Sequence, residues 1–433
     1  MAEVRKGYKR TDIGEIPIEW DVKRIMDIAE VFRGASPRPK GDPRYYGGNV
    51  PRLMVADVTR DYKYVTPKID FLTEDGAKLS RPMPTGSLVV VCSGTVGVPA
   101  ILAVDACIHD GFLGLKNISN DCDKEFLFYC FSFLRTKFDS AATHGGVFTN
   151  LTTSIMNEFT IALPPIGEQK EIVAILSSVD IAIQKTTAII DQTKKVKKGL
   201  MQQLFTKGIG HTKFKKTEIG ELPSEWKVVN LEEVTVFVSR GKGPSYVELS
   251  NFRVINQKCI RWNGIELEHV KFVAEDTKGK WKEQLFVGYS DILMNSTGTG
   301  TIGRASIIKQ QLDNTVVDSH VTIIRSNPEV IVPHYLKFYF ELDKNQQRLA
   351  MQCFTGSTNQ VELSRVNLLK FPILLPTLDE QKQIVNTLTS IEEKITNETK
   401  KMETLQYIKK GLMQSLLTGK VRVKVDEVEV TQV

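Results

Sequence analysis

Between residues 166 and 208, apolar side chains recur at alternating spacings of four and three. The run is Ile172, Leu176, Val179, Ile183, Thr186, Ile190, Thr193, Lys197, Leu200 and Leu204, apolar at seven of its ten positions. Between 378 and 420 the same spacing returns as Ile384, Leu388, Ile391, Ile395, Glu398, Met402, Leu405, Lys409, Leu412 and Leu416, apolar at eight of ten. A 4,3 spacing held over four heptads is the signature of a coiled coil. Two amphipathic helices lying on separate cores would share the pattern. Each helix has about 38 residues and hence a length of ~57 Å. Asp379 can cap the second helix, while Glu168, Glu171 and Glu380 put acid into the first turns, where the helix dipole favours it.

Outside these runs the pattern is mixed. Leu88–Cys92, Ile292–Met294 and Val321–Arg325 are short and β-branched, as strands are. Segments 125–142 and 333–353 have helical spacing. Their aromatics (Phe126, Tyr129, Phe131, Tyr335, Phe338, Phe340) suit core packing better than base stacking.

The long runs are one sign of a tandem repeat. Tyr8–Trp20 (YKRTDIGEIPIEW) matches Phe214–Trp226 (FKKTEIGELPSEW) at eight of thirteen positions, at an offset of 206. Leu163–Val173 (LPPIGEQKEIV) recurs at Leu375–Val385 (LPTLDEQKQIV), and Lys197–Gly208 recurs at Lys409–Lys420, both at an offset of 212. The middles barely agree. Their matching islands are Gly94–Gly97 with Gly300–Gly303, His109 with His320, and Thr143–Leu151 with Thr355–Leu363. A shared frame around divergent middles suits two modules doing one job on two targets. The expected segments are 1–165 and 209–377 as mixed modules, 166–208 and 378–420 as helices, and 421–433 as a tail, either an added edge strand or disordered. If the helices pair, chain order makes them antiparallel, with the modules at opposite ends about an approximate two-fold. The fold class expected is α+β.

With 433 residues, 41% hydrophobic and 25% charged, the chain has the composition of a folded protein of two or three domains. The charge of +6 permits a polyanionic partner. No continuous apolar run reaches membrane-spanning length and no signal segment is visible, so a cytoplasmic location is expected. Six cysteines without a CxxC pair, and six histidines without an HxH or HxxxH pair, give no metal site. No Walker loop or amino-methyltransferase motif occurs; the nearest string, Asp42-Pro43-Arg44-Tyr45, lacks the second proline. Glu168-Gln169-Lys170 and Glu380-Gln381-Lys382 echo a nuclease pattern but sit where helix capping explains them. These absences favour a binding protein over an enzyme.

The polar loops carry the candidate contacts. Ser93 and Thr95, and in the second copy Ser296, Thr299 and Arg304, lie in glycine-hydroxyl loops that either cradle a phosphate or simply turn tightly. Thr149 belongs to one polar loop. Its counterpart holds Ser357, Thr358, Asn359 and Gln360, whose amides can pair with adenine. Arg33, Ser36, Arg38, Lys40 and Arg44 in the first module, with Arg240, Lys242 and Ser245 in the second, are candidates for phosphate contact or plain solvated surface.

The ordered set, occurring twice, resembles the DNA-specificity subunits of type I restriction–modification systems. It comprises the T-[DE]-I-G-E entry ending in tryptophan, the SxGTxG loop, the TGST-like loop, and the EQKxIV–helix–KKGLMQxLxTG exit. The resemblance covers nearly the whole chain. It implies two target-recognition domains, each reading half of a bipartite duplex site, with paired helices as the spacer. It also implies two modification (methyltransferase) subunits docked along the stem, and restriction (motor and nuclease) subunits. The chain itself would be non-catalytic, with S-adenosylmethionine, ATP and Mg2+ belonging to the partner subunits. Gly34–Pro51 follows a common pattern of the family, while Arg240–Tyr246 departs from it, so the half-sites are expected to differ. A stand-alone methyltransferase or bifunctional restriction enzyme, and a coiled-coil adaptor unrelated to DNA, are the competing classes.

Overall fold

The computed structural model describes residues 4–145, 148–356 and 361–424, with only the backbone of 143–145 and 148–149. The chain divides into two compact units, Met1–Thr186 with Lys401–Val433, and Thr187–Lys400. The division cuts through both long helices, Ile166–Lys207 and Leu378–Leu416. Each unit therefore holds one mixed module, the start of one helix and the end of the other. In the first unit, Ile172 and Leu176 pack with Met413, Leu416 and Leu417. In the second, Met201, Leu204 and Phe205 pack with Ile384 and Leu388. Within each unit the two segments run antiparallel. Thr186 and Ile190 are buried as well. Val179, Ile183, Leu200, Ile391, Ile395, Met402, Leu405 and Leu412 are half-buried.

By length and composition alone the first long helix is apolar enough to cross a membrane, which the absence of a continuous apolar run had hidden. That helix carries Asp180, buried and accepting from Tyr129 at 2.7 Å and from Lys409 at 2.6 Å. The second unit has the counterpart 212 residues away on each helix: Lys197 reaches Glu392 at 2.8 Å. There the cluster closes into a ring, because Lys337 also reaches Glu392 (2.8 Å) and Glu341 (2.7 Å), and Lys197 reaches Glu341 (2.5 Å).

The repeated signature residues fasten module to helix. Trp20 is fully buried and donates its indole N–H to Glu168 at 2.9 Å; Trp226 donates to Glu380 at 3.0 Å. Gln169 and Gln381, both fully buried, accept from the backbone at the start of a module helix (Asp123, Val332) and donate to proline carbonyls. A buried polar group needs such partners, which is why Glu-Gln recurs. Gly208 (φ +63°) ends the first helix; a side chain there would strike Glu380, His211 and Trp226. The start of the tail, residues 421–424, is neither strand nor helix. Arg422 bonds Glu168 (2.8 Å) and Glu19 (2.5 Å), filling the place that Ile209 and His211 fill against Glu380.

Each module has the same main sheet. Its order is Glu30–Arg33, Phe112–Lys116, Leu88–Val91, Pro99–Leu102 in the first, and Thr235–Arg240, Val321–Ser326, Ile292–Asn295, Ala305–Ile307 in the second, all antiparallel. The first adds Tyr64–Val65 in parallel. The second sheets differ. Both keep a parallel pair, Tyr46–Leu53 with Ala106–Ile108 and Phe252–Ile255 with Thr315–Val317. The fourth strand joins at opposite edges: Arg81–Met83 lies beside Ala106–Ile108, but Tyr246–Val247 lies beside Lys271–Val273. The helix Lys124–Ala141 buries Phe126, Tyr129 and Phe131. Segment 333–353, expected as one helix, is two, Pro333–Glu341 and Asp343–Cys353, broken at the extended Leu342. Asn345 and Gln346 turn back to bond the orphaned carbonyls of Tyr339 and Phe340 (2.8 and 2.7 Å).

Candidate nucleic-acid interface

In both modules an Arg-Gly pair ends the first strand of the main sheet. Gly34 and Gly241 are glycines of necessity: a Cβ would sit 2.2 Å from the His109 carbonyl oxygen in one and 2.0 Å from that of Val317 in the other. The tight approach presents the preceding arginine to the end of the sheet. Arg33 donates to the Asp110 carbonyl at 2.7 Å and to the Asn150 side chain at 3.3 Å. Arg240 donates to the Ser319 carbonyl at 3.1 Å and to Glu362 at 2.9 Å. Beside each arginine the glycine-hydroxyl loop meets the polar loop through one bridge, Ser93 with Asn150 and Thr297 with Glu362. Leu151 and Leu363 then close onto Cys92 and Ser296 (2.9 and 2.8 Å).

This skeleton corrects two matches made on sequence. Asp110 corresponds to Ser319, so His109 corresponds to Asp318, and His320 corresponds to Gly111. The second glycine-hydroxyl loop is two residues longer, since Gly97 bonds Val91 as Gly303 bonds Asn295. Ser296 is therefore the counterpart of Cys92. It is fully buried, its hydroxyl 2.6 Å from that of Thr322, and it is no surface contact. Thr297 takes the surface position, within 2.8 Å of His320. Arg304 is also turned inward, bonded to the Ile260 carbonyl at 3.3 Å.

Ser36 donates to Asp110 and accepts from Arg52 at 2.8 Å. Arg38 is exposed, 3.7 Å from Asp110. Lys40 and Thr95 are exposed. Arg44 is exposed but occupied by Asp42 at 2.7 Å. Thr299 and Ser245 are exposed, and Lys242 reaches the Lys280 carbonyl at 3.2 Å. Thr149 lies in the strand Phe148–Asn150, hairpinned to Thr143–Gly145. Ser357, Thr358, Asn359 and Gln360 lie outside the described residues. Arg33, Ser36 and Arg38 thus share one face, Arg240 and Thr297 its equivalent, while Arg44 stands apart in its own pair.

Burial drives the His109 pKa down to about 4, with Arg52 adding to the effect, so the ring is neutral. Its Nδ1 accepts from the Gly111 N–H at 2.8 Å. Asp318, at the equivalent place, is pushed up by burial. Among the described residues, Glu266, Glu268 and His269 lie close enough to share an ion, but they are exposed or half-exposed, and Glu266 already pairs with Arg261 at 2.8 Å.

A family model, the type I restriction modification DNA specificity domain, matches the chain twice, over residues 17–195 and 223–407. The chain belongs to this family. Among relatives of this specificity subunit are the MjaVIII specificity subunit of Methanocaldococcus jannaschii, 29% identical over 98% of this chain and 99% of that one, and the EcoKI specificity subunit of Escherichia coli, 19% identical over 90% and 88%. A solved S subunit from M. genitalium shares the fold, with a TM-score of 0.58 and 14% identity over 96% of this chain and 98% of that one. A chain from work on complex assembly in a type I R-M system also has a TM-score of 0.58, at 15% identity over 94% and 99%. The specificity subunit's two modules are two versions of one scaffold. Sequence reasoning missed Asn150 and Glu362 within it. Their signal was a change from amide to acid at matched positions of the repeated polar loop.

Proposed function

We propose that each module reads one half of a bipartite, asymmetric duplex DNA target, with the Arg33 and Arg240 faces turned to the DNA. The observation carrying this reading is the duplicated arrangement of Arg-Gly, glycine-hydroxyl loop and polar loop on matching main sheets, beside second sheets that differ. A common scaffold gives both modules the same way of holding phosphate. Unlike surroundings give them unlike bases to select. The long helices set the spacing between half-sites and dock two modification subunits. Those partners hold S-adenosylmethionine, and restriction subunits hold ATP and Mg2+. The complex acts on DNA in the cytoplasm.

The test is methylome sequencing of cells expressing this chain with its modification subunit, together with duplex binding at several salt concentrations. A split motif with unlike halves is expected, and affinity should fall with salt at a slope of roughly 0.9 per phosphate contacted. A palindromic motif, or binding indifferent to salt, contradicts the reading.

A further inference from the structure

The two faces share a frame but differ at the side chain that each arginine reaches across the sheet end. Arg33 and Arg240 hold equivalent carbonyls, of Asp110 and Ser319, and each also reaches the residue bridged to the glycine-hydroxyl loop. In the first unit that residue is Asn150, a neutral amide, so the arginine's charge is left uncompensated by it. In the second it is Glu362, whose side chain is 55% exposed and pairs with Arg240 at 2.9 Å. The Arg33–Asn150 pair carries a charge of +1 and the Arg240–Glu362 pair zero. A carboxylate next to a phosphate-binding arginine weakens a purely electrostatic contact with DNA, so its presence calls for a base-directed role.

We infer that Asn150 and Glu362 are equivalent base-selecting positions with opposite demands, resting on the reading that these faces meet DNA. A carboxylate only accepts hydrogen bonds. It suits a base edge offering an exocyclic amine, cytosine N4 or adenine N6, and repels the acceptor edges of guanine and thymine. The Asn150 amide both donates and accepts, which suits the N6/N7 edge of adenine. The arginine beside each reaches the side chain: Arg240 pairs with Glu362 at 2.9 Å, and Arg33 donates to Asn150 at 3.3 Å.

The test uses the full chain with its modification subunit, comparing wild type, Glu362→Gln, Asn150→Asp and Arg240→Gln. The readouts are the methylated motif and relative binding to a duplex library randomised at single positions. Glu362→Gln keeps an acceptor for Arg240 but adds a donor. It is expected to relax selection at one base pair of the second unit's half-site by about tenfold or more and to leave the other half-site unchanged. Asn150→Asp should shift preference at one position of the first half-site. Arg240→Gln should weaken binding to every sequence, lower the salt slope by ~1, and blunt selection at the Glu362 position, because that carboxylate loses the partner that holds it. The inference is overturned if Glu362→Gln leaves every base preference intact, or changes affinity equally for all sequences. Arg240→Gln binding duplex as tightly as wild type, with an unchanged salt slope, would instead sink the reading of the faces as DNA-binding.

Discussion

The ring of Lys197, Lys337, Glu341 and Glu392 makes a quantitative prediction for Glu392→Gln. The lysine side chains are 12% and 4% exposed, and Glu392 lies 2.8 Å from both. At an effective dielectric of ~20, each such contact is worth ~6 kcal/mol of attraction. Taking four charges out of water costs several kcal/mol per ion, so the intact ring contributes little net stability. Neutralising one member is another matter, because it leaves a surplus positive charge in a largely buried site. Breaking a buried pair costs ~3–5 kcal/mol, and the 20% exposure of Glu392 puts this case near ~3. For a unit of this size that is a fall in Tm of roughly 6–12 °C. Native-state hydrogen exchange resolves the units: peptides from 333–353 and 378–400 should lose ~3 kcal/mol of opening free energy, while peptides from 124–141 keep theirs. Adding Lys337→Met restores charge balance through the surviving Lys197–Glu341 pair and should recover over half of the loss. A single-variant loss under ~1 kcal/mol, or a double variant showing the sum of both single losses, refutes the reasoning.

The same ring fixes a pH dependence. Burial alone would raise the Glu392 pKa, but Lys337 and Lys197 outweigh it and hold the carboxyl below its usual range. Burial alone would lower the Lys197 pKa, but Glu341 and Glu392 outweigh it and raise it. The depressed Glu392 stabilises the fold above the unfolded carboxylate pKa, and the contribution is lost as pH falls through the folded value. The raised Lys197 stabilises below the unfolded lysine pKa, and its contribution is lost as pH rises through the folded value. Glu392→Gln should remove this carboxyl's share of the acid limb and weaken the alkaline limb, which then rests on Glu341.

Three further outcomes are expected. Glu168→Ala strands the buried Trp20 N–H and leaves Arg422 only Glu19, and should cost the first unit ~2 kcal/mol in denaturant unfolding; a loss below ~0.5 kcal/mol would show the clamp to be idle. Gly241→Ala drives a methyl group into the Val317 carbonyl and should cost ~1–3 kcal/mol, abolishing selection in one half-site; unchanged selection contradicts the role given to the Arg-Gly turn. His109, with its folded pKa near 4, charges in the unfolded chain first, so the first unit should lose ~2–3 kcal/mol as pH falls from 6.5 to 4; if His109→Gln leaves that slope unchanged, another group is responsible.

The long helices were legible because their signal is local and repeated: a 4,3 spacing over four heptads, present twice in one register. The tandem frame was legible for the same reason, although the shared Arg-Gly turn was not among its matches. What the chain hid depends on partners far apart in sequence. Trp20 meets Glu168 across 148 residues, and no local pattern announces that the acid of a helix's first turn accepts from a buried indole. The break at Leu342 was hidden because Asp343 continues the helical spacing. Its cause is the capture of two carbonyls by Asn345 and Gln346, a choice between side-chain and backbone partners that propensity does not see. Ser296 was misplaced because a glycine-hydroxyl string has no internal ruler. Matching its last glycines hid the insertion of two residues.

That insertion shows how the duplicated design separates its tasks. Cys92 and Ser296 occupy one buried position, one filling it with sulfur and the other with a hydroxyl bonded to Thr322. Past that point the loops differ in length, and at their meeting with the polar loop they differ in charge. At the starts of the long helices, Trp20–Glu168 and Trp226–Glu380 differ in distance by 0.1 Å. The anchor to the helices is thus held nearly constant, while the sheet end that carries Arg33 and Arg240 varies in loop length and charge. If each module had only to fold and dock, its two ends would diverge alike. A chain under pressure to select different bases while keeping one frame has reason to change Asn150 against Glu362 and hold the Arg-Gly turn that presents them.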